Sequence, residues 1–293
     1  MVLKARPWRL VHTWSSQGEA RTMMFDMAGS EHRDDQIGSI ARHIACAEIA
    51  AGNERTASVL ELPGLVAWVH SMPVGPVDAG GDVHYVSLCP SCIVSRIALA
   101  DVSGHGQAVA ALGEKLRELM KRHLRELSQV GLMRELNQAV REELGDVHYA
   151  TMVAVGWHSR RGLLVMTNAG HPPPLWYRAE RQEWKWLEAR RASERGRLAG
   201  VPLGLLEDIE YDRRVVKLQR GDLVVLYSDG ASEATTPAGD ELGQDGLMSI
   251  AHGLDATSSE AFGAQLIAAV SAFRSGGEPL DDQTIIVLRR NDA

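Results

Sequence analysis

No apolar run in this chain approaches the roughly 20 residues that a membrane-spanning helix needs. The start, Met1-Val2-Leu3-Lys4-Ala5-Arg6-Pro7-Trp8, lacks the hydrophobic core of a signal peptide. Basic residues are not in excess: 31 Lys and Arg stand against 38 Asp and Glu, a formal net charge of -7. That balance removes the electrostatic motive for binding nucleic acid or an anionic membrane, so neither is expected as a partner. Cysteine is scarce, with three copies, and together with the missing export signal this leads us to expect a reducing cytoplasm. Repeats and low-complexity tracts are absent too. What is there is a 293-residue acidic chain, 45% hydrophobic, long enough for one large domain or two small ones.

Two of the cysteines form a CxxC, Cys89-Pro90-Ser91-Cys92. A zinc site would need a second such pair or a suitably spaced His pair, and the sequence offers neither. The motif sits between two strand-like runs, so Pro90-Ser91 reads as a hairpin tip. Further strand-like runs cover residues 65–69, 150–157, 163–168, 175–178, 184–187, 215–218, 223–227 and 284–289.

Four stretches have helical periodicity. Ile37, Ile40, Ile44 and Ala47 predict a helix over residues 36–51, whose stripe must bury against the domain core or against the segment bearing Asp82. Ala108, Leu112, Leu116, Leu119, Leu124 and Leu127 predict a second, followed by another carrying Leu132, Leu136, Val140 and Leu144. Near the end, Thr257-Ser258-Ser259-Glu260 reads as a capping box ahead of Phe262, Leu266, Val270 and Phe273. Strands in two groups around helices imply an α+β arrangement of antiparallel sheets with helices on their faces.

Four aspartates stand on turns between apolar runs: Asp82, Asp101, Asp229 and Asp281. Each taken alone is an ordinary turn residue. Three of them border strand-like runs, where a carboxylate is costly unless a cation offsets its desolvation. Oxygen ligands select hard cations such as Mg²⁺ or Mn²⁺. His171 in Asn168-Ala169-Gly170-His171-Pro172-Pro173-Pro174 is read as a buried structural histidine. The basic run Arg190, Arg191, Arg195 and Arg197 is read as a solvated loop.

The segments Ala79-Gly80-Gly81-Asp82, Asp101-Val102-Ser103-Gly104-His105-Gly106, Asn168 to Pro174, Pro202-Leu203-Gly204, Leu226-Tyr227-Ser228-Asp229-Gly230-Ala231-Ser232-Glu233-Ala234 and Asp281-Asp282-Gln283-Thr284 follow one another in this order. In that order they resemble the SpoIIE-like phosphatases, a branch of the metal-dependent serine/threonine protein phosphatases (the type 2C, or PPM, fold). The resemblance runs from about Leu62 to Arg290. It implies an antiparallel β-sandwich flanked by α-helices, with a phosphatase domain over residues 61–293 behind an N-terminal segment over 1–60. It implies two Mn²⁺ or Mg²⁺ ions that neutralise a phosphate and acidify a water. Asp101 would bridge both ions, the Val102 carbonyl would add a ligand, and Asp82, Asp229 and Asp281 would complete the set. Asp282 would hydrogen-bond behind the ligands. His105 is either the proton donor to the leaving oxygen or a histidine bonding a loop carbonyl. The partner implied is a phosphorylated regulator, a STAS-type antagonist of an anti-sigma factor, with a homodimer as a further possibility. A phosphoprotein-binding module without activity and a hydrolase of small phosphate esters are the alternatives. One position departs from the family pattern: Tyr85 stands where a second acid is usual.

Overall fold

The computed structural model describes residues 41–74, 79–104, 107–123, 128–144, 148–188 and 200–291, together with the backbone of two strands ahead of them. The chain falls into two compact units, Met1–Gly38 and Ser39–Ala293. In the first, β1 (Arg9–Trp14) and β2 (Ala20–Phe25) pair antiparallel, with Arg9 opposite Phe25 and Trp14 opposite Ala20.

The second unit opens with β3 (Ala41–His43), β4 (Ile49–Glu54), β5 (Thr56–Leu62), β6 (Leu65–Met72), β7 (Ala79–Leu88) and β8 (Val94–Val102). Helices α1 (Gln107–Arg122) and α2 (Gln129–Leu144) follow. Then come β9 (Ala150–His158), β10 (Leu163–Ala169), β11 (Leu175–Arg178), β12 (Glu183–Trp186), β13 (Arg213–Lys217) and β14 (Leu223–Tyr227). The chain closes with α3 (Asp229–Ser232), α4 (Gly243–His252), α5 (Ser259–Phe273) and β15 (Gln283–Arg290). Among the described residues the strands form a six-stranded sheet, β13-β10-β9-β8-β7-β4, and a seven-stranded sheet, β12-β11-β14-β15-β6-β5-β3. Pairing is antiparallel except between β3 and β5.

The period-2 alternation of strand side chains explains how the layers form. On β8, Ile97 and Leu99 point between the sheets, where they meet Val69, Leu226 and Ile286 of the other sheet. Their neighbours Ala98 and Ala100 face outward onto Leu116 of α1 and Leu136 of α2. On β15, Ile286 and Leu288 face inward, while Ile285 and Val287 face Phe262 and Leu266 of α5. The central strands are buried on both faces, which is why they read as near-continuous apolar runs. The sandwich flanked by helices is therefore present as expected.

The helix expected over residues 36–51 is not formed in its described part. Residues 36–40 lie outside the described residues; Ala41–His43 and Ile49–Glu54 are strands. Between them Ala47 takes a left-handed backbone (φ 66), which a continuing helix forbids. The open edge of β7 wins: Ile49, Ala50 and Ala51 pair with Ser87, Val86 and Tyr85. The stripe expected on α1 extends to Leu124 and Leu127, both outside the described residues. At α5 the N-cap is Ser258, whose Oγ accepts from the Ala261 amide at 3.0 Å. The third helical position is therefore Ala261 rather than Glu260, so the cap sits one residue later than the box from Thr257 to Glu260 requires.

The CxxC is the expected hairpin tip: the Cys92 amide donates to the Cys89 carbonyl at 2.8 Å and closes a turn between β7 and β8. Cys92 is also paired as a disulfide with Cys46, in the crossover from β3 to β4, with Cα atoms 5.2 Å apart. The cysteine count alone does not anticipate this pairing.

Candidate metal centre

Asp82 and Asp101 are direct cross-strand partners on β7 and β8. By alternation Asp82 shares its face with Val86 and Leu88, and Asp101 shares its face with Ile97 and Leu99, so both carboxylates turn into the space between the sheets. Two like charges side by side on one sheet face repel each other. Asp229 opens α3 directly beyond β14, and Asp281 stands just ahead of β15, which pairs with β14 through Tyr227 and Ile285. The antiparallel ladder thus delivers both to one end of the seven-stranded sheet.

Asp282 ties the two ends together. Its Oδ2 accepts from the Gly81 amide at 2.6 Å and its Oδ1 from the Val74 amide at 2.7 Å. The packing there leaves no space for side chains: a Cβ on Gly80 would overlap the Asp282 carboxylate, and one on Gly230 would overlap the Asp282 carbonyl. A Cβ on Gly81 would come to 3.3 Å from Asp101 Oδ1 and 3.2 Å from the Val102 carbonyl. Glycine is needed at these positions so that backbone can approach the acids. Asn53 locks the same corner to α1, its Nδ2 donating to the Gly80 and Ala110 carbonyls, each at 3.0 Å.

The electrostatics are those of an uncompensated acidic cluster. Burial pushes the Asp82 carboxyl well above the usual carboxylate range, Asp101 pushes it further, and the Ser228 and Thr284 hydroxyls pull the other way. Asp101 is pushed up to about 8, first by burial and then by Asp229, Asp281, Asp282 and Glu233. Asp229 is raised by burial and then by Asp281, and Glu233 by burial and then by Asp229. Asp82 is 2% exposed, and its Oδ2 has no hydrogen-bond partner. A buried, partnerless carboxylate oxygen beside other acids is the donor chemistry that a hard cation satisfies. The residues therefore fit divalent metal. Among the described residues, no three acid, imidazole or thiol groups are closed around a common point in this arrangement. Each acid's role as a ligand is accordingly taken up below as a proposal.

His105 lies outside the described residues, as do Arg190, Arg191, Arg195 and Arg197. His171 is buried, with Nδ1 2.8 Å from Thr151 Oγ1 and Nε2 3.1 Å from the Tyr227 carbonyl. A carbonyl only accepts, so Nε2 carries the proton and Nδ1 accepts from Thr151. Both nitrogens are committed, and His171 anchors the end of β14 just ahead of Asp229. Sequence reasoning missed Ser228, Thr284 and Glu233, although Ser228 and Glu233 lie in the block around Asp229. Their part depends on which strands end beside one another, and local sequence carries no signal of that.

A family model described as Stage II sporulation protein E (SpoIIE) matches residues 95–291, well over half of the chain. The chain belongs to the SpoIIE family. Among its relatives is the phosphoserine phosphatase RsbU of Bacillus subtilis (strain 168), 26% identical over 222 residues, which cover 73% of this chain and 61% of RsbU. This SpoIIE-family chain thus matches about three fifths of the length of that curated relative. The SiaA-PP2C domain of Pseudomonas aeruginosa superposes with a TM-score of 0.62 at 18% identity, covering 76% of this chain and 85% of that domain. The catalytic domain of the serine/threonine phosphatase PstP, solved with two manganese ions, gives 0.53 at 17%, covering 78% of this chain and 99% of that one. At such identities the likeness establishes the fold: the SpoIIE-family chain has the type 2C phosphatase sandwich.

Proposed function

We propose that the chain is a divalent-metal-dependent phosphatase acting on phosphoserine or phosphothreonine of a regulatory protein. The observation that carries this is the buried cross-strand pair Asp82 and Asp101, with Asp229 and Asp281 brought to the same end of the sandwich. Asp82, Asp101, Asp229, Asp281 and the Val102 carbonyl would hold the metal. Bound there, two Mn²⁺ or Mg²⁺ ions would supply charge neutralisation for a phosphoryl group and an acidified water. The chain's own part is to hold four acids against their mutual repulsion. Asp282 does so by fixing the Gly81 amide, and Gly80, Gly81 and Gly230 do so by letting backbone close in. The buried side of the cluster excludes water, which strengthens every charge interaction in it.

The family and the name of RsbU support the substrate class. We extend the reading to a STAS-type antagonist in a partner-switching circuit, a cytoplasmic setting and a homodimer. No helix among the described residues is long and apolar enough to cross a membrane. We assign the catalytic domain to residues 61–293, with the strands between Ala41 and Leu62 completing the edges of its sheets, and a leading segment over 1–60. A phosphoprotein-binding module without activity gains nothing from the buried pair Asp82 and Asp101, with Asp82 Oδ2 lacking a hydrogen-bond partner.

The test is phosphate release by the purified full chain from a panel of phosphoserine and phosphothreonine peptides. Release should need Mn²⁺ or Mg²⁺, stop with EDTA and return when Mn²⁺ is restored. Release indifferent to EDTA, or none from any peptide with Mn²⁺ present, overturns the reading. Faster turnover of a small aryl phosphate than of every peptide would favour the small-ester hydrolase instead.

A further inference from the structure

At the end of the β7–β8 hairpin remote from Asp82 and Asp101, all three cysteines come together. The crossover from β3 to β4 carries Cys46, exposed to solvent; the hairpin tip carries Cys89 and Cys92, both half-buried. The crossover is laid against the end of β7 by two backbone bonds, Ala47 amide to Leu88 carbonyl at 3.0 Å and Leu88 amide to Glu48 carbonyl at 3.2 Å. Two residues here hold a left-handed backbone that side chains other than glycine seldom adopt: Ala47 (φ 66), next to Cys46, and Cys92 itself (φ 54). These bends bring the Cα atoms of Cys46 and Cys92 to 5.2 Å, inside the range a disulfide requires. Cys89 and Cys92 span one hydrogen-bonded turn, which also holds their Cα atoms within disulfide range. Among the described residues the cysteines do not group into a metal site.

We propose that Cys46, Cys89 and Cys92 form a thiol–disulfide exchange site that fastens and releases the β3–β4 crossover at the hairpin tip. The bond Cys46–Cys92 fastens it. Glutathione disulfide, or another small disulfide, makes that bond by taking two electrons and two protons from the two thiols and leaving as two thiols. Cys89 opens it from within. Its thiolate attacks Cys92 Sγ, the Cys89–Cys92 bond forms, the Cys46–Cys92 bond breaks, and Cys46 leaves as a thiolate that takes up a proton from water. This step is an isomerisation and needs no oxidant.

The setting of Cys89 suits the nucleophile. Its Sγ accepts from the Val94 amide at 3.2 Å and lies 3.0 Å from Ser91 Oγ. Burial alone would raise this thiol, but the Ser91 hydroxyl and the amides of Val94, Ile93 and Ser91 outweigh it and lower the thiol below its ordinary value. The released element is a joint of the fold. The crossover links an edge strand of the seven-stranded sheet to an edge strand of the six-stranded one. Release of Cys46 leaves the crossover held by backbone hydrogen bonds, the buried Ile44 and the Arg42–Glu48 ion pair.

The experiment maps linkages by alkylation with N-ethylmaleimide, proteolysis and mass spectrometry on the full chain equilibrated with glutathione disulfide. The wild type should give a Cys46–Cys92 peptide with Cys89 alkylated near neutral pH. A Cys89–Cys92 peptide with Cys46 alkylated should be present as the minor species, and the two species should interconvert faster as pH rises, because the thiolate is the attacking form. Cys89→Ser should give only the first species at every pH. In that variant, hydrogen exchange over residues 41–54 should be several-fold slower oxidised than reduced. Cys89→Ala repeats the test if the serine variant melts abnormally. Full alkylation of Cys46 with no Cys46–Cys92 peptide overturns the fastening. Identical linkage patterns in wild type and Cys89→Ser overturn the exchange.

Discussion

Asp222 and Asp82 are buried alike, each 2% exposed, and their surroundings could hardly differ more. Asp222 stands at the entrance of β14, where three N–H groups converge on its carboxylate: Gln219 at 2.9 Å, Ala179 at 2.9 Å and the Trp176 indole at 3.3 Å. Asp82 lies at the other end of the sandwich with one oxygen unpartnered and an acid for its nearest strand neighbour. Burial by itself therefore says little about the role of an acid. The number of donors aimed at it separates an acid that holds the fold together from one that the fold holds in readiness.

Four changes test the contrast. The largest effect is expected from Asp82→Asn, which keeps the shape and removes the charge. Phosphopeptide hydrolysis should fall by orders of magnitude, while stability without metal is retained or raised because a buried uncompensated charge has gone. Near-normal turnover, or a collapsed fold, would abolish the distinction. Asp222→Ala should do the reverse. Three donors lose their acceptor, so urea denaturation should show a loss of about 2–4 kcal/mol, with turnover per folded molecule close to wild type.

Third comes the pH dependence of metal stabilisation. The folded state raises the carboxyls of Asp82, Asp101 and Asp229 above their unfolded values. A group raised in this way stabilises fully below its unfolded value, and the contribution is lost as pH rises through the folded value. Mn²⁺ takes the place of those protons. The gain in melting temperature on adding Mn²⁺ to EDTA-stripped protein should therefore grow from about pH 5 to about pH 9. A gain independent of pH would show that these acids are not where the metal binds.

The smallest change concerns histidine. Burial first, and then the Arg117 charge, lower His84 to about 4; burial likewise lowers His70 to about 4 and His171 to about 3. A histidine lowered in the fold stabilises above its unfolded value of roughly 6.5, and that contribution is lost as pH falls toward the folded value. His84→Gln should change the slope of stability against pH between about 6 and 4.5 by one proton, roughly 1.4 kcal/mol per pH unit. Equal slopes in the two proteins would mean that His84 is already charged when folded.

How much of this was legible in the sequence follows from burial. Strands such as Leu223–Tyr227 and Gln283–Arg290 stood out because both of their faces are covered. The edge strand Ile49–Glu54 and the neighbouring Thr56–Leu62 did not, because Gly52, Asn53, Glu54 and Arg55 interrupt the apolar pattern and the isoleucines ahead of them fall at helical spacing. Helix α4 carries two of its ten residues as glycine and went unread. Asp229 and Asp281 were legible as residues at strand ends, but Asp82 and Asp101, expected on turns as well, lie inside β7 and β8, where the strands continue through them as cross-strand partners. The double amide grip of Asp282 and the hydroxyls of Ser228 and Thr284 were not legible. They arise from registers between segments some 200 residues apart, for which one sequence carries no local trace.

The register of β7 has a consequence for how this protein can vary over generations. Asp82 faces inward because it stands an even number of positions from Val86 and Leu88, which are held in the core. Replacing a side chain between Val83 and Leu88 costs packing, but deleting one residue there would turn Asp82 to the helix side and leave Asp101 without its neighbour. Lineages carrying this protein should therefore accumulate substitutions along that stretch far more readily than changes in its length, and the first insertions should settle in the loops beyond the strand ends.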